Sequence, residues 1–217
     1  MTAAALAATA RRLFTDGPPA WRLLQIYRPY ICPFDVIIDA VPQGARVLDI
    51  GCGGGLLLGL LAAAGRIGGG IGFDTSVPAV ELARGMAGRS FPGRLDFEAL
   101  AVQDSWPEGT FDVVTAIDVL HHVPPSAQAG VVAQAAAKVR PGGLLLVKDM
   151  VTRPWWRAAA NHLHDLVLAR QWIHTPEGGD IVAWAGAAGL VLERERIDNV
   201  LWYGHRLQVF RKGGVAC

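Results

Sequence analysis

Between residues 45 and 150 the chain alternates short apolar runs with helix-like stretches, and few folds accept that alternation. "ARVLDI" (45–50) reads as a buried strand, and "GGLLLGLLAAAG" follows it as an alanine-rich helix closing at Gly65. "GGIGFD" (69–74) is a second strand; the helix "SVPAVELARGMA" after it has Ser76 at its N-cap and Pro78 in its first turn. "RLDFEALAV" (94–102), "FDVVTAI" (111–117) and "LLLVKD" (144–149) supply three more strands, with the helix "SAQAGVVAQAAAKV" and its stop "RPGG" before the last. Strands interleaved with helices need βαβ crossovers, which predicts a mostly parallel sheet with helices on both faces.

The flanks read differently. "LVLERERI" (190–197) and "YGHRLQVF" (203–210) are consecutive strands that pair antiparallel at one sheet edge. The chain is expected to be one domain: a cofactor-binding core over 45–150, an N-terminal lid or cap over 1–44, a lid helix over 151–189 and terminal antiparallel strands over 190–217. Both lids are expected over the carboxyl ends of the strands, where open α/β sheets bind ligands.

Composition narrows the function classes. Formal net charge is +1 without a basic run, which argues against a nucleic-acid footprint. No apolar stretch approaches the roughly 20 residues of a membrane span, and "MTAAALAATARR" lacks the charged start of a signal peptide. Cys32, Cys52 and Cys217 are scattered, which suits reduced thiols in a cytoplasm. Seven tryptophans point to a large apolar pocket or interface, and leave peripheral membrane contact as a second option.

The motif "VLDIGCGGG" (47–55) carries a strand into a glycine turn and then a helix. Gly51 and Gly53 match a dinucleotide fingerprint, but Leu56 stands where its third glycine belongs. Asp49 at the strand end would repel a pyrophosphate and suits a ligand with positive charge and no phosphate. S-adenosyl-L-methionine has an ammonium and a sulfonium. Asp74, ending the second strand, can accept both hydroxyls of a ribose. A structural turn with two capping acids is the plain alternative.

With "VLDIGCGGG", "GFD", "FDVVTAIDVLHHV" and "RPGGLLLVKD" in this order, the chain resembles the class I S-adenosylmethionine-dependent methyltransferases over roughly residues 45 to 150. The resemblance implies a Rossmann-like, doubly wound seven-stranded sheet with the last strand antiparallel. It places Asp49 and the backbone of Gly51, Cys52 and Gly53 at the methionine end of the cofactor, and Asp74 with Thr75 at the ribose. It puts Asp104 and Ser105 by the adenine amino group, and Asp118 toward the methionine moiety or the methyl. The segment before "FDVV" is shorter than the family's.

Methyl transfer needs alignment of nucleophile, methyl and sulfur in a dry site, and a hydroxyl nucleophile also needs its proton removed. His121 and His122 follow the fourth strand, and three readings compete for them: pocket or turn residues, a base or substrate contact, or metal ligands. No metal is expected, because adjacent rings at a strand end should point apart and a metal needs three or four converging ligands. On the substrate side, Asn161, His164 and Asp165 share one helix face, at i, i+3 and i+4. Lys148 and Asp149 end the fifth strand, where the lysine reaches a substrate carboxylate or pairs with Asp149. Tyr27 and Tyr30 close over a ligand or pack on the lid.

Trp21, Tyr27, Tyr30, Phe34, Trp155, Trp156 and Trp172 suggest an aromatic or apolar small-molecule acceptor. The expectation is a cytoplasmic O-methyltransferase of such an acceptor. A lipid or membrane-surface methyltransferase and a cofactor-binding protein without activity are the alternatives. Asp49 and Leu56 disfavour a nicotinamide dehydrogenase.

Overall fold

Val47, Leu48 and Ile50, like Phe111, Val113, Val114 and Ala116, are almost wholly shielded from water, as expected for strands buried on both faces. The computed structural model of the protein describes residues 1–151, 174–200 and 203–214. In chain order these form α1 (Ala3–Leu13), α2 (Pro19–Tyr27), α3 (Phe34–Ala40), β1 (Ala45–Ile50), α4 (Leu56–Ala63), β2 (Ile67–Asp74) and α5 (Val77–Ser90). They continue with β3 (Leu95–Ala99), β4 (Phe111–Ile117), α6 (Pro125–Lys138), β5 (Val139–Met150), α7 (Gly178–Ala187), β6 (Leu190–Val200) and β7 (Tyr203–Lys212).

One seven-stranded sheet has the order β3-β2-β1-β4-β5-β7-β6. β1 pairs parallel with β2, and β2 parallel with β3. β7 runs antiparallel to both neighbours and is inserted between β5 and β6. The architecture is the expected mixed, Rossmann-like α/β sheet with its last strand antiparallel. No helix among the described residues is long and apolar enough to cross a membrane.

Several local expectations change. The third strand stops at Ala99, and β5 starts at Val139, so "RPGG" belongs to the strand and not to a helix stop. Ser76 occupies the N-cap of α5 without a side-chain cap bond; its backbone N–H donates to Asp74 Oδ1 at 2.9 Å. The lid expectation fails for Phe34, which is core at 2% exposure.

The chain divides into two compact units, Met1–Thr115 and Ala116–Cys217. In the first, α1 buries Leu6, Ala7, Ala10 and Leu13, and Thr2 caps it by accepting from Ala5 N. Helix α4 is apolar all round and buried. Gly59 lets it approach its neighbours: a Cβ there would lie 3.1 Å from Met86 Cε and 3.2 Å from Leu13 Cδ1. In the second unit Gln128 of α6, itself buried, donates through Nε2 to the carbonyls of Leu120, Val123 and His174. That one amide fixes the turn carrying the paired histidines.

Candidate functional site

The described candidate residues fall in two groups, one in each unit. In the first, β1 delivers Asp49 to a turn in which Gly51, Gly53 and Gly55 all have left-handed backbone, with φ of 65°, 52° and 78°. Only glycine takes such a series without strain. Gly55 is also crowded, since a Cβ would lie 2.7 Å from Phe97 Cζ and 2.9 Å from Ala83 Cβ. Asp74 clasps the turn from the end of β2: its Oδ2 accepts from Gly53 N at 2.8 Å and its Oδ1 from Ser76 N. Each of its oxygens keeps acceptor capacity for a ligand. Cys52 packs under the turn, its N–H bonded to Phe73 O, and burial pushes its thiol up, followed by the charges of Asp49 and Asp74. Its place is that of a small residue packed within the turn.

Asp49 is 3% exposed. The Thr115 hydroxyl donates to its Oδ1 at 2.6 Å. Burial raises its carboxyl to about 7, against the smaller lowering effects of that bond and of Arg28, while Asp74 adds to the rise. The folded state therefore holds this proton more tightly than the unfolded chain. The resulting stability is complete below the usual carboxylate range and is lost as pH rises through about 7. Asp49→Asn should remove that loss. Urea unfolding of wild type and variant at about pH 5 and pH 8.5 should show the wild type losing on the order of 2 kcal/mol more than the variant between them.

Two residues of this group escaped sequence reasoning. Gln25 and Arg28 lie three apart on α2 and the 3-10 turn that follows it, and both reach the glycine turn. The structure leaves Leu23, Leu24 and Tyr27 of α2 exposed while burying Gln25 together with Ile26, so a carboxamide takes a core position that two leucines do not. Tyr27 and Tyr30 are both exposed, with ring centroids 6.1 Å apart. Thr75 is exposed, as are Asp104 and Ser105. Asp104 Oδ2 accepts from Ala101 N at 2.7 Å and closes its own loop, and the neighbouring Trp106 is buried against Phe73.

In the second unit, the two residues that end β5 organise the turn after β4. Asp118 has φ +59°, which for a non-glycine residue needs support. Lys148 gives it twice: its carbonyl accepts from Asp118 N at 2.8 Å, and its ammonium, 1% exposed, donates to Asp118 Oδ1 at 2.5 Å. The lysine's partner is thus Asp118, where Asp149 was the expected intramolecular one. Asp149 is engaged with His121: its Oδ1 lies 2.6 Å from Nδ1, and its Oδ2 accepts from His121 N at 3.2 Å. Both side chains are buried.

The carboxylate selects the tautomer with the proton on Nδ1. The rings of His121 and His122 were expected to diverge but lie 4.1 Å apart, because Leu120–His122 is a 3-10 turn and not strand. His121 is buried and His122 exposed. Asn161, His164 and Asp165, with Trp155, Trp156 and Trp172, lie outside the described residues.

A strand, a glycine turn and a helix with an acid before the turn and another ending β2, on a sheet of this order, define a Rossmann-like domain of the methyltransferase class. The chain belongs to a family of methyltransferase domains, whose family model matches residues 25–195. A ubiquinone biosynthesis O-methyltransferase of Xanthomonas axonopodis pv. citri is 33% identical over 168 residues, 70% of this chain and 65% of that protein. The protein so named in Bordetella bronchiseptica is 37% identical over 114 residues, 52% of this chain and 45% of that one. The chain thus spans about half to two thirds of the length of these curated relatives. Among solved structures, magnesium protoporphyrin IX methyltransferase from Synechocystis PCC 6803, with S-adenosylhomocysteine bound, superposes with a TM-score of 0.68 at 20% identity. That superposition covers 95% of this chain and 93% of that one.

Proposed function

We propose that the protein is an S-adenosylmethionine-dependent methyltransferase acting on an oxygen of a small aromatic or otherwise apolar acceptor. The observation that carries the reading is the pair of acids around the glycine turn. Asp49 is a buried carboxyl whose ionisation a cation would favour, and Asp74 grips the turn while keeping lone pairs for two hydroxyls. A dinucleotide's pyrophosphate would meet Asp49 as a like charge, whereas an ammonium and a sulfonium meet it as opposite ones. The residues present therefore fit this cofactor. The relatives that are 33% and 37% identical, both named for O-methylation in ubiquinone biosynthesis, support the oxygen assignment and a phenol-like acceptor.

S-adenosylmethionine supplies a methyl on a sulfonium, open to in-line displacement by the acceptor oxygen. The protein's own contribution is placement and proton removal. Asp49, Arg28 and the Gly51–Gly53 backbone are assigned to the amino-acid end, Asp74 with Thr75 to the ribose, and Asp104 with Ser105 to the adenine. Asp118, held by Lys148, is assigned to the methionine moiety. Asp149 holds His121 with Nδ1 protonated, which leaves Nε2 as the basic nitrogen that takes the acceptor's hydroxyl proton. The neighbouring ring of His122 lines the same turn. Tyr27 and Tyr30 are assigned to the acceptor.

A second reading has its own observation. Leu23, Leu24, Tyr27 and Tyr30 are exposed on and just after α2, a surface suited to an acceptor presented from a lipid surface. An acceptor panel separates the two: phenols and catechols with short side chains in water, and the same head groups on long alkyl tails in anionic vesicles. Product one methylene heavier from the short-chain set supports the soluble reading. Product from the vesicle set alone supports the lipid one, and methylation of amines alone would overturn the oxygen assignment.

A further inference from the structure

The burial of Gln25 on α2 has a consequence for the ligand. Gln25 is 2% exposed, although Leu23 and Leu24 of the same helix are 55% and 44% exposed. Packing alone gives no reason to bury a carboxamide there. Its side chain stands on the glycine turn: a Cβ on Gly54 would lie 2.8 Å from Gln25 Cδ, 2.9 Å from Nε2 and 3.2 Å from Oε1. A side chain at residue 54 would have to displace the carboxamide of Gln25. Gln25 Oε1 is buried and has no hydrogen-bond partner among the described residues. Such an acceptor is costly to leave unmade, and native structures hold few of them.

We propose that Gln25 is a cofactor-positioning residue whose Oε1 accepts a hydrogen bond from the α-ammonium of the cofactor's amino-acid end. The inference rests on the reading of the glycine turn as the S-adenosylmethionine site. A carbonyl oxygen can only accept, so its partner carries N–H or O–H. The cofactor's ribose hydroxyls are assigned to Asp74 and its adenine amino group to the Asp104 loop. The sulfonium and the carboxylate have nothing to donate. The ammonium remains, at the end of the molecule assigned to Gly51–Gly53, beside Gly54. Arg28 continues the same face one turn on, its guanidinium 3.9 Å from the place of a Gly53 Cβ. Helix α2 thereby serves as the clamp on the amino-acid end, turning Gln25 inward while Leu23 and Leu24 stay exposed.

Calorimetric titration with two ligands tests this. S-adenosylhomocysteine has the amino-acid end, and 5′-methylthioadenosine lacks it. Gln25→Met should weaken S-adenosylhomocysteine by about tenfold or more and leave 5′-methylthioadenosine within about twofold. Gln25→Glu, which keeps an acceptor, should hold S-adenosylhomocysteine within about threefold of wild type. The proposal is overturned if Gln25→Met binds S-adenosylhomocysteine like wild type, or loses both ligands by the same factor, the mark of a packing role. If thermal melting shows that the Met variant does not fold, Gln25→Glu decides alone. Loss of S-adenosylhomocysteine with 5′-methylthioadenosine kept would then mean that the ligand's carboxylate faces residue 25. Wild type binding neither ligand would overturn the cofactor reading itself, and this inference with it.

Discussion

Asp74→Ala should lose S-adenosylhomocysteine affinity by about 100-fold or more in a calorimetric titration, the largest effect expected of any single change to the turn. Two losses combine. The carboxylate now satisfies the N–H groups of Gly53 and Ser76, at 2.8 and 2.9 Å, and so closes the glycine turn onto the start of α5. Without it the turn loses its clasp and two donors need new partners. The two bonds assigned to the ribose hydroxyls disappear as well. Hydrogen bonds to a charged group are worth about 1.5–3 kcal/mol each, so losing two of them exceeds the roughly 2.7 kcal/mol that a hundredfold represents. Asp74→Asn keeps one carbonyl acceptor and should fall between the two. Equal binding by wild type and Asp74→Ala, with unchanged circular dichroism, would remove Asp74 from the site.

Asp149→Asn should lower kcat by about 100-fold while S-adenosylhomocysteine affinity stays within about threefold. The carboxylate at 2.6 Å from His121 Nδ1 keeps a proton on that nitrogen. An asparagine can present its NH₂ instead, which favours the tautomer with the proton on Nε2, and that nitrogen then has no lone pair for the acceptor hydroxyl. The remaining rate should rise steeply with pH, as hydroxide and the ionised acceptor replace the protein base. A structural role for Asp149 alone would lower stability and leave the shape of the pH–rate profile as in wild type. Asp149 Oδ2 also holds His121 N and Oδ1 holds Met150 N, so urea unfolding of the variant separates the two effects.

Much of this arrangement is legible in sequence because burial on both faces leaves a strong trace. β1 and β4 each bury all but one residue, and their ends fall where the apolar pattern ends. Asp49 and Asp74 stand out because acids at strand ends beside glycines have few packing reasons to be there. The bounds of β3 and β5 were less legible, since strand length is set by pairing with a neighbour and not by the strand's own residues. The partner exchange at the end of β5 was also hidden. Sequence places Lys148 and Asp149 side by side, but consecutive strand residues point to opposite faces, which sends the lysine to Asp118 and the aspartate to His121. The close, tilted approach of His121 and His122 follows from a 3-10 turn that no propensity announces. Gln25 and Arg28 are hidden in the sequence because α2 reads as an aromatic lid whose polar residues look solvated, whereas Gln25 is buried and Leu23, Leu24 and Tyr27 are exposed.

The measurement that bears most directly on the whole account is transfer of a labelled methyl. The protein is incubated with S-adenosylmethionine carrying a trideuterated methyl and with catechols of graded side-chain length, and the products are weighed and fragmented. The expected product is a catechol heavier by the labelled methyl, with the label on oxygen, and S-adenosylhomocysteine formed in equal amount. Tight binding of the cofactor with no label in any oxygen acceptor, in water or in vesicles, would contradict it and leave a cofactor-binding domain without this chemistry.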